Sequence, residues 1–220
     1  MKRLLTGLAA VVLTCSAASA QTLPSPVALP RADAQIVAGW QNLHKDQPQS
    51  SYNDWLNGIA YGGAGAGWYW NDHLKTQIDF GAGTQGAQYR YQQLVVNGVQ
   101  TFESSRLRVR ESSLSIGQQY QFFRNQWFHP HVGAGLEIAR ETSTEDFDPV
   151  TVLDNVTRTT RLAQPARTEG PDHRILARAF GETGFKAYMT TRAFFTGDMR
   201  VMFRNGIDEV LFRAGFGIDF

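Results

Sequence analysis

The sequence contains 220 residues, a length that suggests a single domain. Its 21 lysines and arginines nearly balance its 20 aspartates and glutamates, which argues against a nucleic-acid partner, because nucleic-acid-binding proteins usually carry a basic excess. No uncharged apolar run reaches the roughly 18 residues that a membrane-spanning helix needs, so the sequence excludes a helical membrane protein.

The first 20 residues have the layout of a secretory signal peptide. Lys2 and Arg3 form a positive start, an apolar run covers Leu4–Leu13, and Ala18–Ala20 is a cleavage site of small residues. We therefore expect export of the chain with cleavage after residue 20. A proline-rich lead-in is expected over residues 21–33, and a folded domain over residues 34–220.

From residue 34 onward, apolar and polar residues alternate with a period of two, which predicts β-strands. The C-terminal segment is the clearest example, because Phe212, Phe216 and Ile218 share one face while Arg213 and Asp219 share the other. Eight segments of this kind follow one another along the chain. They cover residues 35–44, 55–70, 74–94, 101–123, 127–144, 173–188, 193–204 and 208–220.

The connections between these segments alternate between short and long. Residues 71–73, 124–126 and 189–192 are short turns, whereas 45–54 and 145–172 are longer and polar. Short turns on the periplasmic side and long loops outside the cell are the usual arrangement of outer-membrane barrels. An even number of strands returns the chain to its starting side, so both termini are predicted to be periplasmic.

Aromatic residues near the short turns favour a membrane barrel over a secreted β-sandwich. Folding would bring them to one rim, and the membrane interface selects aromatic rings at one level. Glycines on the polar face suit a narrow interior better than a solvent-exposed face. The alternative is the ordinary aromatic core of a secreted sandwich. The predicted aromatic girdle consists of Trp68, Trp70, Phe122, Trp127, Phe128, Tyr188, Phe195 and Phe220.

Two motifs resemble a known family. Pro130–Leu136 opens a strand after an aromatic-rich turn, and Ala214–Phe220 ends the chain on an alternating strand. With the signal peptide, they resemble the small eight-stranded bacterial outer-membrane barrels, such as outer-membrane protein X and the transmembrane domain of outer-membrane protein A. The resemblance implies an all-β, antiparallel up-and-down barrel. It also implies contact with outer-membrane lipid and lipopolysaccharide, and recognition of the last strand by the barrel assembly machinery. A monomer is expected.

Charged residues on the polar face are predicted to fill the barrel interior. Expected pairs are Glu182 with Arg200, and Asp198 with Arg178 or Arg213. A charge without a partner in a narrow lumen would be costly, so a hydrogen-bonded network is expected. The same residues would also suit a small gated ion pore. The predicted lumen network consists of Lys75, Asp79, Glu137, Arg178, Glu182, Lys186, Asp198, Arg200, Arg213 and Asp219.

Three histidines near one rim raise the question of a metal site. His129 and His131 are two residues apart on one strand face, and His73 lies in a turn at the same rim. Two imidazoles on one face can bind a metal, but surface histidines are more often incidental. We expect neither a metal nor a cofactor.

An enzyme is the least favoured class. The family that this chain resembles includes lipid A modifying barrels whose catalytic histidine works with serine or a carboxylate near the long loops. His44 and His173 fall at such positions, but the local motifs of those enzymes are absent, so no catalytic residue is assigned. The nearby candidates for a serine or carboxylate partner are Asp46, Ser50, Ser51 and Asp172.

Three arginines alternate on one face beyond the predicted membrane band. Arg106, Arg108 and Arg110 would suit contact with lipopolysaccharide phosphates, because arginine binds phosphate in a bidentate manner. The alternative is an ordinary solvated strand face. The sequence therefore predicts an integral outer-membrane barrel with a structural or surface-interaction role, and less favoured hypotheses are a small gated pore and a lipid A modifying enzyme.

Overall fold

The computed structural model of the protein describes residues 31–45, 54–96, 98–122, 127–154 and 158–220. The predicted signal peptide, nearly all of the predicted lead-in and the predicted turn at 124–126 lie outside the described residues. Within these ranges, no helix is long and apolar enough to cross a membrane.

Eleven β-strands make up the described part of the chain. They are β1 (Ala32–His44), β2 (Trp55–Tyr69), β3 (Leu74–Gly83), β4 (Gly86–Val96), β5 (Val99–Gln121), β6 (Phe128–Phe147), β7 (Val150–Asp154), β8 (Thr159–Gln164), β9 (Arg167–Tyr188), β10 (Ala193–Phe203) and β11 (Ile207–Asp219).

Eight of these strands form a closed antiparallel ring. Its order is β1, β2, β3, β5, β6, β9, β10, β11 and back to β1. The ring closes where Ala38 lies opposite Ala214 on the last strand, so the first and last strands pair along their length. The predicted all-β, eight-stranded antiparallel barrel is confirmed. Its first strand begins at Ala32, two residues before the predicted domain start.

The predicted single strand over 74–94 is two strands in the structure. β3 ends at Gly83 and β4 begins at Gly86, and the two pair with different halves of β5. The pairing of β2 with β3 stops at Gly83, and the amide of Thr84 donates to the carbonyl of Ala60 over 2.7 Å. Beyond this point β4 lies outside the ring of eight strands.

A four-stranded sheet projects from one end of the barrel. It consists of β4 and the outer parts of β5, β6 and β9, since β10 accompanies β9 only as far as Ala179. The predicted start of the sixth segment at residue 173 is wrong, because β9 begins at Arg167. The predicted loop 145–172 also contains the β7–β8 hairpin. Polar residues dominate β8 and the start of β9, and β7 is only five residues long, so the sequence pattern did not reveal these segments.

The barrel is apolar outside and polar inside. Ile36, Leu136 and Phe216 are more than half exposed on the outer wall, whereas Arg213 and Asp219 are buried. The predicted inward and outward faces of the last strand are therefore confirmed. An exposed apolar wall of this kind suits a lipid environment, in which outward side chains contact acyl chains.

Inward glycines leave room for large polar side chains. A methyl group added at Gly65 would lie 2.1 Å from Asp79 Oδ1, and one at Gly81 would lie 1.9 Å from the Tyr61 hydroxyl. Such distances are far below van der Waals contact. A larger residue at either position would have to displace the neighbouring side chain.

Two apolar clusters also lie inside the barrel. The first cluster consists of Val37, Tyr61, Phe180, Met202 and Leu211, and the second consists of Leu43, Leu56, Ile59, Leu107 and Val109. Two members of the first, Phe180 and Leu211, lie between charged inward positions of their strands.

Candidate functional site

The structure places all ten predicted lumen residues in the barrel interior, where each is at most 9% exposed. They come from β3, β6, β9, β10 and β11, whose inward positions converge on the barrel axis. They form three layers along that axis, which we name periplasmic, central and outer after the orientation that the sequence predicts.

The central layer crosses the barrel. Arg200 donates to Asp79 over 2.7 Å and to Glu182 over 2.8 Å, so it contacts both β3 and β9 from its position on β10. Arg213 donates from Nε to Asp198 over 2.8 Å. Glu182 is the partner expected for Arg200, and Arg213 is one of the two expected for Asp198. Three carboxylates and two guanidiniums thus lock five residues into one network.

The periplasmic layer is built around two lysines. Lys186 pairs with Asp219, and both Lys186 and Lys75 lie 3.0 Å from Asp33. The Tyr69 hydroxyl donates to Asp33 over 2.8 Å. Asp33 was assigned to the lead-in by sequence and was missed as a lumen residue. Only its position opposite Asp219 in the β1–β11 register reveals its role.

The outer layer gathers acidic residues around a single arginine. The guanidinium of Arg178 contacts Glu137 and Glu111 over 2.5 Å and Glu209 over 2.8 Å. Among the described residues, these three glutamates are the group whose ligand atoms lie close enough to hold a metal ion, within 4.8 Å of one another. The arginine already occupies the cationic position between them. Sequence analysis missed Glu111 and Glu209.

His131 and His129 differ in environment. His131 is only 5% exposed in the lumen, and neither of its ring nitrogens has a hydrogen-bond partner among the described residues. His129 Nδ1 lies 3.4 Å from Gln121 Oε1, while His73 Nδ1 lies 2.8 Å from the carbonyl of Gln121. The description of these histidines as surface groups is wrong for His131, because its strand turns it inward.

Most predicted girdle residues lie on the outer wall at one end of the barrel. Trp68, Trp70, Trp127, Phe122 and Phe220 are exposed there, and Phe128 and Phe195 are partly exposed. Tyr188 departs from this ring, because its hydroxyl donates to Asp219 inside the lumen. Strand alternation puts it on the same side as Lys186. That the remaining aromatics mark the membrane interface stays a prediction.

The three arginines that were predicted to contact lipopolysaccharide differ in the partners of their side chains. Arg108 pairs with Asp146 over 2.5 Å, and Arg106 lies 5.8 Å from the centre of the Tyr89 ring. Arg110 is exposed on the same face of β5. Sequence analysis did not single out Arg140, which alternation places on that outer face of β6.

The histidines considered for catalysis lie on separate parts of the ring. His44 ends β1 and stacks edge-on against Trp55, whereas His173 Nδ1 lies 3.1 Å from the Thr142 hydroxyl. Three candidate partners, at positions 46, 50 and 51, fall outside the described residues. The assignment of no catalytic residue stays a prediction.

An ion pair between a buried glutamate and a partly exposed arginine connects strands of the projecting sheet. Arg167 donates to Glu103 in a bidentate manner, and its guanidinium lies 3.9 Å from the centre of the Phe147 ring. Hydrogen bonds from Arg167 hold the pKa of the Glu103 carboxyl below its ordinary value. Phe147 and Arg167 flank the segment that contains the β7–β8 hairpin. The ion pair therefore joins β5 to the start of β9, next to the segment that contains the β7–β8 hairpin.

Comparison with known proteins supports the fold. No family model matches the sequence, and no curated protein matches it. Neisserial surface protein A has a similar structure, with a TM-score of 0.51 and 13% identity, over 86% of this chain and 97% of that chain. The chain therefore has the fold of the small outer-membrane β-barrels.

Two further solved structures show lower similarity. The N-terminal barrel of OprF from Pseudomonas aeruginosa has a TM-score of 0.48 and 14% identity, over 87% of this chain and 100% of that chain. The attachment invasion locus protein Ail of Yersinia pestis has a TM-score of 0.47 and 8% identity, over 86% and 99%.

Proposed function

We propose that this protein is an integral barrel of the bacterial outer membrane with a closed lumen, which acts through its surface rather than as a pore. The observation that carries the proposal is the central layer. Arg200 contacts carboxylates on both β3 and β9, and its side chain is only 2% exposed. An eight-stranded barrel has an interior just wide enough for side chains to fill, so such a network obstructs ion flow.

The projecting sheet supplies the interacting surface in this proposal. β5, β6 and β9 continue beyond the ring as paired strands, and Glu103 with Arg167 stabilises their outer ends. Strands that remain hydrogen-bonded outside the barrel present a fixed surface. Binding sites on such rigid elements are positioned more reliably than sites on loops.

The apolar outer wall of the barrel supports membrane lipid as a partner. Exposed apolar residues such as Ile78, Leu136 and Phe216 support burial in the acyl layer. The exposed outer-face arginine Arg110 supports contact with lipopolysaccharide. We further propose a secreted precursor cleaved after residue 20, a monomer, and recognition of the last strand by the barrel assembly machinery.

Two measurements test the proposal. The full chain, refolded into planar bilayers, is expected to give no stable ohmic channel, because the layers around Arg178 and Arg200 close the lumen. Lipid A from a deletion strain is expected to have an unchanged mass. Stable channels would favour the pore hypothesis, and an altered lipid A mass would favour the enzyme; either result would contradict the proposal.

A further inference from the structure

In the described strands, outward-facing basic residues are confined to one side of the barrel. Within the described strands, lysines and arginines whose positions alternate with the exposed apolar wall occur on β5 and β6 alone: Arg106, Arg108, Arg110 and Arg140. A general belt attracted to anionic lipid would surround the barrel. The one-sided distribution instead indicates a local site.

Two members of this group have no ionic partner in the described part of the chain. Arg108 is paired with Asp146, and Arg106 lies over the Tyr89 ring. Arg110 and Arg140 are exposed and lack an acidic partner among the described residues. Their charges are therefore available to a ligand.

The register of three strands brings these arginines close to a histidine. Arg110 on β5 lies opposite Thr142 on β6, and Thr142 lies opposite His173 on β9. Arg140 lies two residues before Thr142 on the same face. Diagonal neighbours of this kind are about 7–8 Å apart, within the reach of long side chains. All three residues are therefore neighbours of Thr142 on this face, and its hydroxyl lies 3.1 Å from His173 Nδ1.

The site lies at the upper border of the apolar wall. Ile175, directly opposite Arg140, is 78% exposed. One row further into the wall, Leu114 pairs with Ile138, and both are exposed. Arg140 is therefore the first charged group above the surface that contacts acyl chains. In the proposed membrane location, this is the level of the headgroup phosphates.

We propose that Arg110, Arg140 and His173 bind one phosphate group of an anionic glycolipid in the outer leaflet, with the Thr142 hydroxyl as an additional donor. The inference rests on the proposed outer-membrane location. It assigns the contact to three strands, whereas the sequence pattern pointed to β5 alone. Guanidinium groups suit it because they donate two parallel hydrogen bonds to a phosphate.

The test uses the full chain refolded into phosphatidylcholine vesicles that contain or lack bisphosphorylated lipid A. Lipid A retained by the extracted protein is quantified by native mass spectrometry, and inorganic phosphate is titrated in the vesicles that lack lipid A. The double variant R110Q/R140Q is compared with R106Q/R108Q. The second variant removes the same charge from the same outer face, and circular dichroism verifies that both fold.

The expected result is a loss of lipid A affinity of at least about tenfold in R110Q/R140Q and a change below about threefold in R106Q/R108Q, since charge-assisted hydrogen bonds are lost only in the first. Equal losses in both variants would overturn the site in favour of diffuse attraction. Inorganic phosphate that binds as tightly as lipid A would overturn the lipid assignment. Channel formation is measured separately, so failure of the closed-barrel proposal remains distinguishable.

Discussion

The Arg200 guanidinium lies 2.7 Å from the Asp79 carboxylate, which extends from the opposite wall of the barrel. Their strands, β10 and β3, are four steps apart in the ring of eight, and the residues are 121 positions apart in sequence. The contact spans the full width of the lumen. Closure therefore depends on pairing between distant parts of the chain, which forms only when the whole ring is assembled.

Replacement of Arg200 by alanine is predicted to destabilise the barrel. It would leave Asp79 and Glu182 without their main cationic partner, and an uncompensated buried charge can cost about 3–5 kcal/mol, less where water enters. Urea unfolding of protein refolded in vesicles measures the loss, and planar-bilayer recording measures any leak. The barrel is expected to unfold at a lower urea concentration and to admit ions.

Two variants control this prediction. Arg108→Ala removes an exposed arginine outside the membrane band and is expected to change neither stability nor conductance. The double variant D79A/R200A also removes one of the two carboxylates that lose this partner, so it is expected to recover part of the lost stability. A single variant R200A with wild-type stability and conductance would contradict the role of the central layer.

Phe216→Arg is predicted to impair insertion into lipid. Phe216 is 56% exposed on the outer wall, and an arginine facing the acyl layer costs about 2–4 kcal/mol at mid-depth and less near the interfaces. The fraction of protein that folds into phosphatidylcholine vesicles measures the effect. Phe216→Leu is the matched control and should fold normally.

The neighbouring residue Gly217 faces inward, but a substitution there cannot serve as a neutral control for Phe216→Arg. A methyl group added there would lie 2.1 Å from the ring of Phe194. Even Gly217→Ser is therefore predicted to reduce the stability of the barrel. Wild-type folding of both Phe216→Arg and Gly217→Ser would contradict the assigned faces of the last strand.

Strand alternation predicted the barrel wall because the two faces of each strand differ strongly in polarity. On β11, for example, Phe216 and Arg213 could be assigned to opposite faces without any partner. Alternation does not specify which charges meet. The shared contact of Lys75 and Lys186 with Asp33 depends on the closed ring, so a residue next to a proline-rich segment was assigned to the lead-in.

The projecting sheet was harder to predict for a different physical reason. Outside the lipid, both faces of a strand contact water or polar neighbours, so the period of two weakens over residues such as Thr159–Gln164. Arg140 was missed although it lies in a predicted strand. Its partners Ser112 and Ile175 come from β5 and β9, and only their register shows that it adjoins the other arginines.

The orientation of the barrel is predicted to place the projecting sheet outside the cell. An epitope tag inserted after Thr159, in the β7–β8 hairpin, should bind antibody on intact cells. A tag inserted after Asp72, in the turn between β2 and β3, should bind only after the outer membrane is permeabilised. Antibody labelling of the second tag on intact cells would reverse the orientation.

The ion pair between Glu103 and Arg167 is predicted to stabilise the segment that contains the β7–β8 hairpin. Glu103 is buried, and hydrogen bonds from Arg167 lower the pKa of its carboxyl. A lowered pKa in the folded state means that the stabilisation is present above the unfolded pKa and is lost as the pH falls through the folded value. Acidification should therefore loosen this region.

Hydrogen exchange at the backbone amides of Val150–Asp154 provides the measurement. Glu103→Gln is expected to speed exchange there at neutral pH and to abolish the additional loosening that wild-type protein shows in acid. Glu169→Gln is the matched control, because Glu169 also accepts from Arg167 but its side chain is 61% exposed. Exposed pairs of this kind contribute little. Equal exchange in both variants would show that burial of the Glu103–Arg167 pair does not stabilise the projecting sheet.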